Sequence, residues 1–275
     1  MDLSEPDLAA RLTITEQVAR AAGDLALEYF ASRSSLEIET KRALTDMVSV
    51  ADREVERLIQ ARLQSAFPGD AFLGEEYGLS EGVTGLTWVV DPIDGTAPFL
   101  NGLPGWCVSI GLMDATGPLL GVIYAPVLGE VYAGARGMGT TLDGKPVTVT
   151  DRFDLSTGLL GTGANDRASP DRMGRLYADL AENGIAHVRY GSGALMLAFV
   201  AAGRLVGYCE PRMALWDCLA GYALIEAAGG RVGEIGAEAM RGRQYGVIAS
   251  APRDFEALAA LTDFAAADWD RAPDA

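Results

Sequence analysis

The chain has 275 residues, an apolar fraction of 49%, 33 glycines, 12 prolines and a formal net charge of −16, which describes a turn-rich globular protein with room for one large or two ordinary domains. The charge disfavours nucleic acid and anionic membranes as partners, and no apolar run is long enough for a membrane span or a secretory leader, so a cytoplasmic location is expected. The single histidine, His187, and three cysteines without metal spacing, Cys107, Cys209 and Cys218, exclude His-pair, His-rich zinc and cysteine-phosphatase chemistry and fit reduced thiols.

In chain order, the period of Ile14, Val18, Ala21, Leu25 and Tyr29 predicts a helix over 13–30, with Thr13 and Glu16 spaced as a capping box. The alternating, charged stretch 36–42 reads as a strand or hairpin arm. A second helix is expected over 49–67, stopped by Pro68-Gly69, so Asp46 lies just ahead of a helix, where a carboxylate can also serve as a cap. Residues 71–76 form a short apolar strand ending in Glu75-Glu76, followed by a glycine-rich loop over 77–85.

The run Trp88-Val89-Val90-Asp91-Pro92-Ile93-Asp94-Gly95-Thr96 is the centre of the chemistry. Its apolar, β-branched part reads as a buried strand that Pro92 brings to an end, and Gly95 permits an unusual φ at the turn. Asp91 and Asp94 then point into one space, where converging carboxylates call for a hard divalent cation. Residues 96–100 begin a short helix, with Pro98 in its first turn. Residues 106–113, 118–124 and 130–135 read as antiparallel strands, and Asp143-Gly144 as a hairpin turn.

Near residue 150 the pattern changes to alternating strand and helix: strands at 159–160, 187–190, 205–209, 232–235 and 245–250, and helices over 170–182, after Gly191-Ser192-Gly193, over 216–228 and over 255–264. Two regions are therefore expected, an α+β part over 1–148 that carries most of the acidic groups and an α/β part over 149–275.

Four segments together resemble the inositol monophosphatase family: Asp46-Met47-Val48-Ser49-Val50-Ala51-Asp52, Gly74-Glu75-Glu76, Asp91 to Thr96, and Trp216-Asp217 through Ala228-Gly229-Gly230. The resemblance covers nearly the whole chain and implies a layered αβαβα sandwich and a Mg²⁺-dependent phosphatase. Carried over residue by residue, it implies two to three Mg²⁺ ions per site. Glu75, Asp91 and the carbonyl of Ile93 would hold the first, Asp91, Asp94 and Asp217 the second, and Glu75 with waters a third. These are the hard oxygen donors that Mg²⁺ prefers.

The resemblance further implies that Asp46 and Thr96 orient and deprotonate the attacking water, that Gly95 and Thr96 hold phosphate oxygens through their N–H groups, and that Gly191, Ser192, Gly193 and Glu210 contact the substrate. The expected activity is hydrolysis of a small polyol or sugar phosphate such as inositol 1-phosphate, by a homodimer. Histidinol phosphate is the alternative substrate, and a non-catalytic metal- or ligand-binding role the alternative of another class. Ala97-Pro98 departs from the family pattern and bears on the substrate more than on the reaction.

Overall fold

The computed structural model describes residues 3–33, 38–40, 47–236, 238–264 and 269. Helix α1 (Glu5–Ala31) starts well before the expected Thr13. Ser4, in extended conformation, accepts from the N–H of Asp7, and Pro6 occupies the first turn, a start signal that the Thr13/Glu16 spacing masks. Thr13 is interior instead, its hydroxyl donating back to Ala9 O at 3.0 Å.

Strands β1 (Ile38–Thr40) and β2 (Met47–Ser49) pair antiparallel, as the arm reading expects, and Asp46 lies outside the described residues. Helix α2 (Val50–Ala66) buries Ala51, Val55, Ile59 and Leu63. The same buried face carries two carboxylates, Asp52 and Glu56.

The first sheet has eight strands: β3 (Ala71–Gly74), β4 (Gly78–Ser80), β5 (Thr87–Asp94), β6 (Cys107–Asp114), β7 (Gly117–Ala125), β8 (Glu130–Ala135), β9 (Gly139–Leu142) and β10 (Lys145–Val147), in the order β10-β9-β8-β7-β6-β5-β3-β4. Only β3 and β5 run parallel. β4 lies inside the stretch that composition assigns to a loop. Strand β5 does not end at Pro92: Asp91 pairs with Ser109 and Asp94 with Cys107, with a bulge between them. Proline is tolerated there because a bulge residue owes no N–H to the ladder. Helix α3 (Thr96–Leu100) follows directly, entered through Gly95 at φ 93°.

The second sheet has five strands, β11 (Leu159–Thr162), β12 (Ala186–Val188), β13 (Gly207–Met213), β14 (Arg231–Val232) and β15 (Tyr245–Ser250), in the order β12-β11-β13-β15-β14. Between its strands run α4 (Pro170–Glu182), α5 (Gly193–Ala201) and α6 (Leu215–Ala227), and α7 (Phe255–Thr262) follows it. β14 is shorter than expected. β13 runs further, to Met213, and so carries Glu210 within the strand rather than beyond its end.

Helices α1 and α2 cover one face of the large sheet, while α5 and α6 fill the space between the two sheets and α4 and α7 cover the outer face of the smaller one. The result is the expected αβαβα sandwich. A helix between two sheets must be apolar on all sides, and Gly193-Ala-Leu-Met-Leu-Ala-Phe-Val-Ala201 and the body of α6 are. α6 comes so close to β7 that a Cβ on Gly121 would sit 2.2 Å from Ala220 O. Each large side chain buried in these layers, such as Trp88, Trp106 or Leu219, contributes roughly 1.5–3 kcal/mol.

Candidate metal and phosphate site

The C-terminal end of β5, an inner strand of the large sheet, meets the first turn of α6. There Asp91, Asp94 and Asp217 each place a carboxylate oxygen within 4.8 Å of the others. Each carboxylate is also fixed by hydrogen bonds. Asp91 Oδ1 accepts from Ile93 N at 2.9 Å, and Asp217 Oδ2 accepts from Ala214 N at 3.1 Å, closing the first turn of α6. Asp94 Oδ2 accepts from Ser192 Oγ at 2.5 Å and from Ala194 N at 2.6 Å, and Ser192 Oγ accepts in turn from Leu195 N at 3.2 Å. Thus Ser192, expected as a substrate contact, caps α5 and spends its proton on Asp94.

The electrostatics are those of crowded anions. Burial pushes the Asp91 carboxyl well above the ordinary aspartate range, and the charges of Glu75, Asp94, Asp217 and Asp52 push it further. Asp217 is raised by burial and then by Asp94 and Glu75. Asp94 is raised to about 6 by burial, a shift moderated by Ser192 and by the N–H groups of Ala194, Leu195 and Gly95. None of the three aspartates forms an ion pair with Lys or Arg among the described residues. Buried acceptors without protein cations are the donor set that a hard divalent ion such as Mg²⁺ or Ca²⁺ takes.

Glu75 borders the same cavity from the turn after β3. Glu56 shapes that turn: its two oxygens accept from Glu76 N at 2.9 Å and Tyr77 N at 3.0 Å, and a Cβ on Gly74 would lie 2.0 Å from Glu56 Oε1. The Thr96 hydroxyl faces Asp52 Oδ1 at 3.5 Å and Ile93 O at 3.3 Å. The Ile93 carbonyl expected at the first ion therefore points toward the Thr96 side chain.

A cavity of about 580 Å³ opens from the cluster. Glu75, Asp94, Gly95, Thr96, Gly191, Ser192, Gly193, Glu210 and Asp217 all line it, so these expected site residues share one space. Glu210 is buried, accepts from Tyr208 Oη at 2.5 Å, and is raised to about 7, chiefly by burial. Sequence reasoning gave no role to Asp52, Glu56, Tyr208, Arg167 or Arg189. The helical period of α2, which places Asp52 and Glu56 with Val55 and Ile59, is the signal that could have found the first two.

The inositol monophosphatase family pattern matches residues 7–267. The chain belongs to the inositol monophosphatase family. It is 38% identical over 232 residues to an inositol-1-monophosphatase of Mesorhizobium japonicum, covering 82% of this chain and 86% of that one. It is 36% identical over 240 residues to the Nus factor SuhB of Xylella fastidiosa, covering 84% of each chain. The crystal structure of the extragenic suppressor protein suhB from Bartonella henselae superposes with a TM-score of 0.84 at 30% identity, covering 93% of this chain and 98% of that one. Within this family member, the departure at Ala97-Pro98 falls on the cavity wall: Ala97 lines it, and Pro98 is buried behind it.

Proposed function

We propose that this family member is a Mg²⁺-dependent phosphomonoesterase acting on a small polyol or sugar phosphate such as inositol 1-phosphate. The observation that carries this reading is the convergence of Asp91, Asp94 and Asp217, with Asp94 and Asp217 lining a cavity that also exposes Gly95 and Thr96. Glu75, Asp91, Asp94, Asp217 and the Ile93 carbonyl would hold two to three Mg²⁺ ions, which supply Lewis-acid stabilisation of charge on the phosphoryl and leaving oxygens.

The chain's own groups do the rest. The phosphate is assigned to the backbone at Gly95 and Thr96. The Thr96 hydroxyl, donating its hydrogen to a carboxylate, keeps lone pairs free to accept from the attacking water, and we assign the proton to Asp46 through Thr96. Gly191 and Gly193 line the wall where a Cβ would press on Pro98 and Met213, and Glu210, steadied by Tyr208, receives a substrate hydroxyl. Attack would be in line at phosphorus, with no residue phosphorylated.

The names of the relatives include a Nus factor as well as a phosphatase. The intact acidic cluster favours catalysis for this chain over a silent binding role. Phosphate release from inositol 1-phosphate during a Mg²⁺ titration is the test. Dependence on Mg²⁺ at roughly millimolar concentration is expected, because Mg²⁺ sites of few carboxylates retain water and bind weakly. Turnover in excess chelator would overturn the reading, and Mg²⁺ binding without turnover on any phosphate ester would support the non-catalytic class.

A further inference from the structure

The main chain fixes the orientation of two side-chain amides on the cavity wall. Asn165, in the loop after β11, and Gln244, the residue before β15, both line the cavity. Asn165 Oδ1 accepts from Arg167 N at 3.0 Å, and Asn165 Nδ2 donates to Arg212 O at 2.5 Å. A backbone N–H can only donate and a carbonyl can only accept, so the Asn165 amide has one orientation. Its second N–H donates to Gln244 Oε1 at 3.3 Å. Gln244 must therefore turn its oxygen to Asn165. Its own NH2 group has no hydrogen-bond partner among the described residues and is left for the cavity.

β15 pairs with β13, Tyr245 opposite Met213 and Val247 opposite Glu210, so Gln244 reaches the cavity beside the strand that carries Glu210. The two side chains are opposite in hydrogen-bond sense. Glu210, which already accepts from Tyr208 Oη at 2.5 Å, takes hydrogens, whereas Gln244 offers them. A hydroxyl group satisfies both, because it donates one hydrogen and accepts another. An ammonium satisfies Glu210 alone, since it has no lone pair for the N–H of Gln244 to find.

We propose that Gln244 is a specificity-determining residue: its amide N–H, turned into the cavity by Asn165, donates to a neutral oxygen on the polyol part of the substrate and disfavours a substrate amine. This rests on the phosphomonoesterase reading above and narrows it. An uncharged polyol phosphate such as inositol 1-phosphate fits the pair, and an aminoalcohol phosphate such as histidinol phosphate does not. Asn165 is a positioning residue that acts through Gln244.

The test compares kcat/KM for two esters with one carbon skeleton, glucitol 6-phosphate and 2-amino-2-deoxyglucitol 6-phosphate. Gln244→Leu removes the donor and should lower kcat/KM for glucitol 6-phosphate by about fivefold, mostly through KM, with little change for the amino ester. Gln244→Glu replaces the donor by a charged acceptor of the same shape and should move the ratio of the two by about tenfold or more toward the amino ester. Asn165→Leu frees the Gln244 amide to turn over. It should move the ratio in the same direction in the parent and have no further effect on it in the Gln244→Leu background. Equal losses on both esters in Gln244→Leu, or a ratio that Gln244→Glu leaves in place, overturn the proposal. A shift by Asn165→Leu that persists without Gln244 overturns the positioning role, and if Asn165→Leu does not fold, the two Gln244 variants decide. If the parent hydrolyses neither ester, their affinities are read as inhibitors of inositol 1-phosphate hydrolysis. If that ester too stays intact, the phosphatase reading fails, and calorimetric affinities of the intact pair give the same ratio. Binding of neither ester overturns the proposal.

Discussion

The hydroxyl of Ser192 donates to Oδ2 of Asp94 across 98 residues of sequence, at 2.5 Å, while capping the helix that fills the space between the sheets. One side chain thus ties the end of β5 to the start of α5. Ser192→Ala removes a cap worth about 1 kcal/mol and a hydrogen bond that holds the Asp94 carboxyl down. The expected outcome is a melting temperature lower by a few degrees, together with a carboxyl titration, followed by NMR, that moves up from about 6. A titration that stays in place would show that the contact does not act on Asp94.

Asp91 has the most crowded carboxylate of the cluster. Asp91→Asn removes a charge that burial and four neighbouring carboxylates oppose, so the metal-free protein should melt at the same temperature or a few degrees higher. Phosphatase activity should fall by at least about a thousandfold, the loss expected when a ligand shared between ions is removed. An unfolded variant would show that the carboxylate serves the fold, through the Ile93 N–H that it accepts.

The pH dependence of stability follows from the same crowding. Folding raises Asp94 from an ordinary 3.8 to about 6, so between those values the folded protein holds a proton that the unfolded chain releases. This contribution is fully present below pH 3.8 and lost as pH rises through about 6, with Asp91 and Asp217 acting in the same direction. In chelator, the melting temperature should decline from about pH 4 through about pH 6, Asp91 and Asp217 extending the decline upward, and saturating Mg²⁺ should abolish it. A flat profile in chelator would contradict the shifts.

Thr96 has two candidate acidic partners. Thr96→Ala and Asp46→Asn should each lower kcat with little change in KM or Mg²⁺ affinity, and the double variant should be little worse than either single one. Asp52, at 3.5 Å from the Thr96 hydroxyl, supplies the control. If Asp52→Asn rather than Asp46→Asn is non-additive with Thr96→Ala, the proton goes to the α2 carboxylate.

The Glu75 turn depends on a residue behind it. Glu56→Ala strips the acceptors from two backbone N–H groups of half-buried and exposed residues, each hydrogen bond worth about 0.5–1.5 kcal/mol. Gly74→Ala drives a Cβ into the same carboxylate. Both should weaken Mg²⁺ binding as measured by calorimetry. Unchanged affinity in a folded Glu56→Ala protein would disconnect Glu56 from Glu75.

Local patterns made much of the fold legible. The apolar runs around Val89, Val122 and Val131, and the period of α2, identify elements because burial imposes a repeat on the sequence. The start of α1 at Ser4 was hidden because Thr13 and Glu16 carry the spacing of a cap while sitting inside a helix. β4 was hidden because Gly78-Leu79-Ser80 offers one apolar side chain amid glycines. In the site, motif spacing points to Asp91, Asp94 and Asp217. Glu56 shows in the period of α2, but that it holds the turn after β3 is visible only once the chain folds, because its partners lie 20 and 21 residues on.

The bulge in β5 has a consequence in the arithmetic of the strand. Side chains alternate between the faces of a sheet, so two residues three apart on a regular strand look in opposite directions. Asp91 and Asp94 are three apart and share one cluster because the irregularity between them absorbs a step. The distance of three is thus an odd number made even by the backbone. Deleting Pro92 or Ile93 would restore regular pairing and bring the two carboxylates to a spacing of two. Such a strand would lack the bend that turns the chain through Gly95 into α3, leaving Thr96 out of phase with the carboxylates even though every acidic side chain remained.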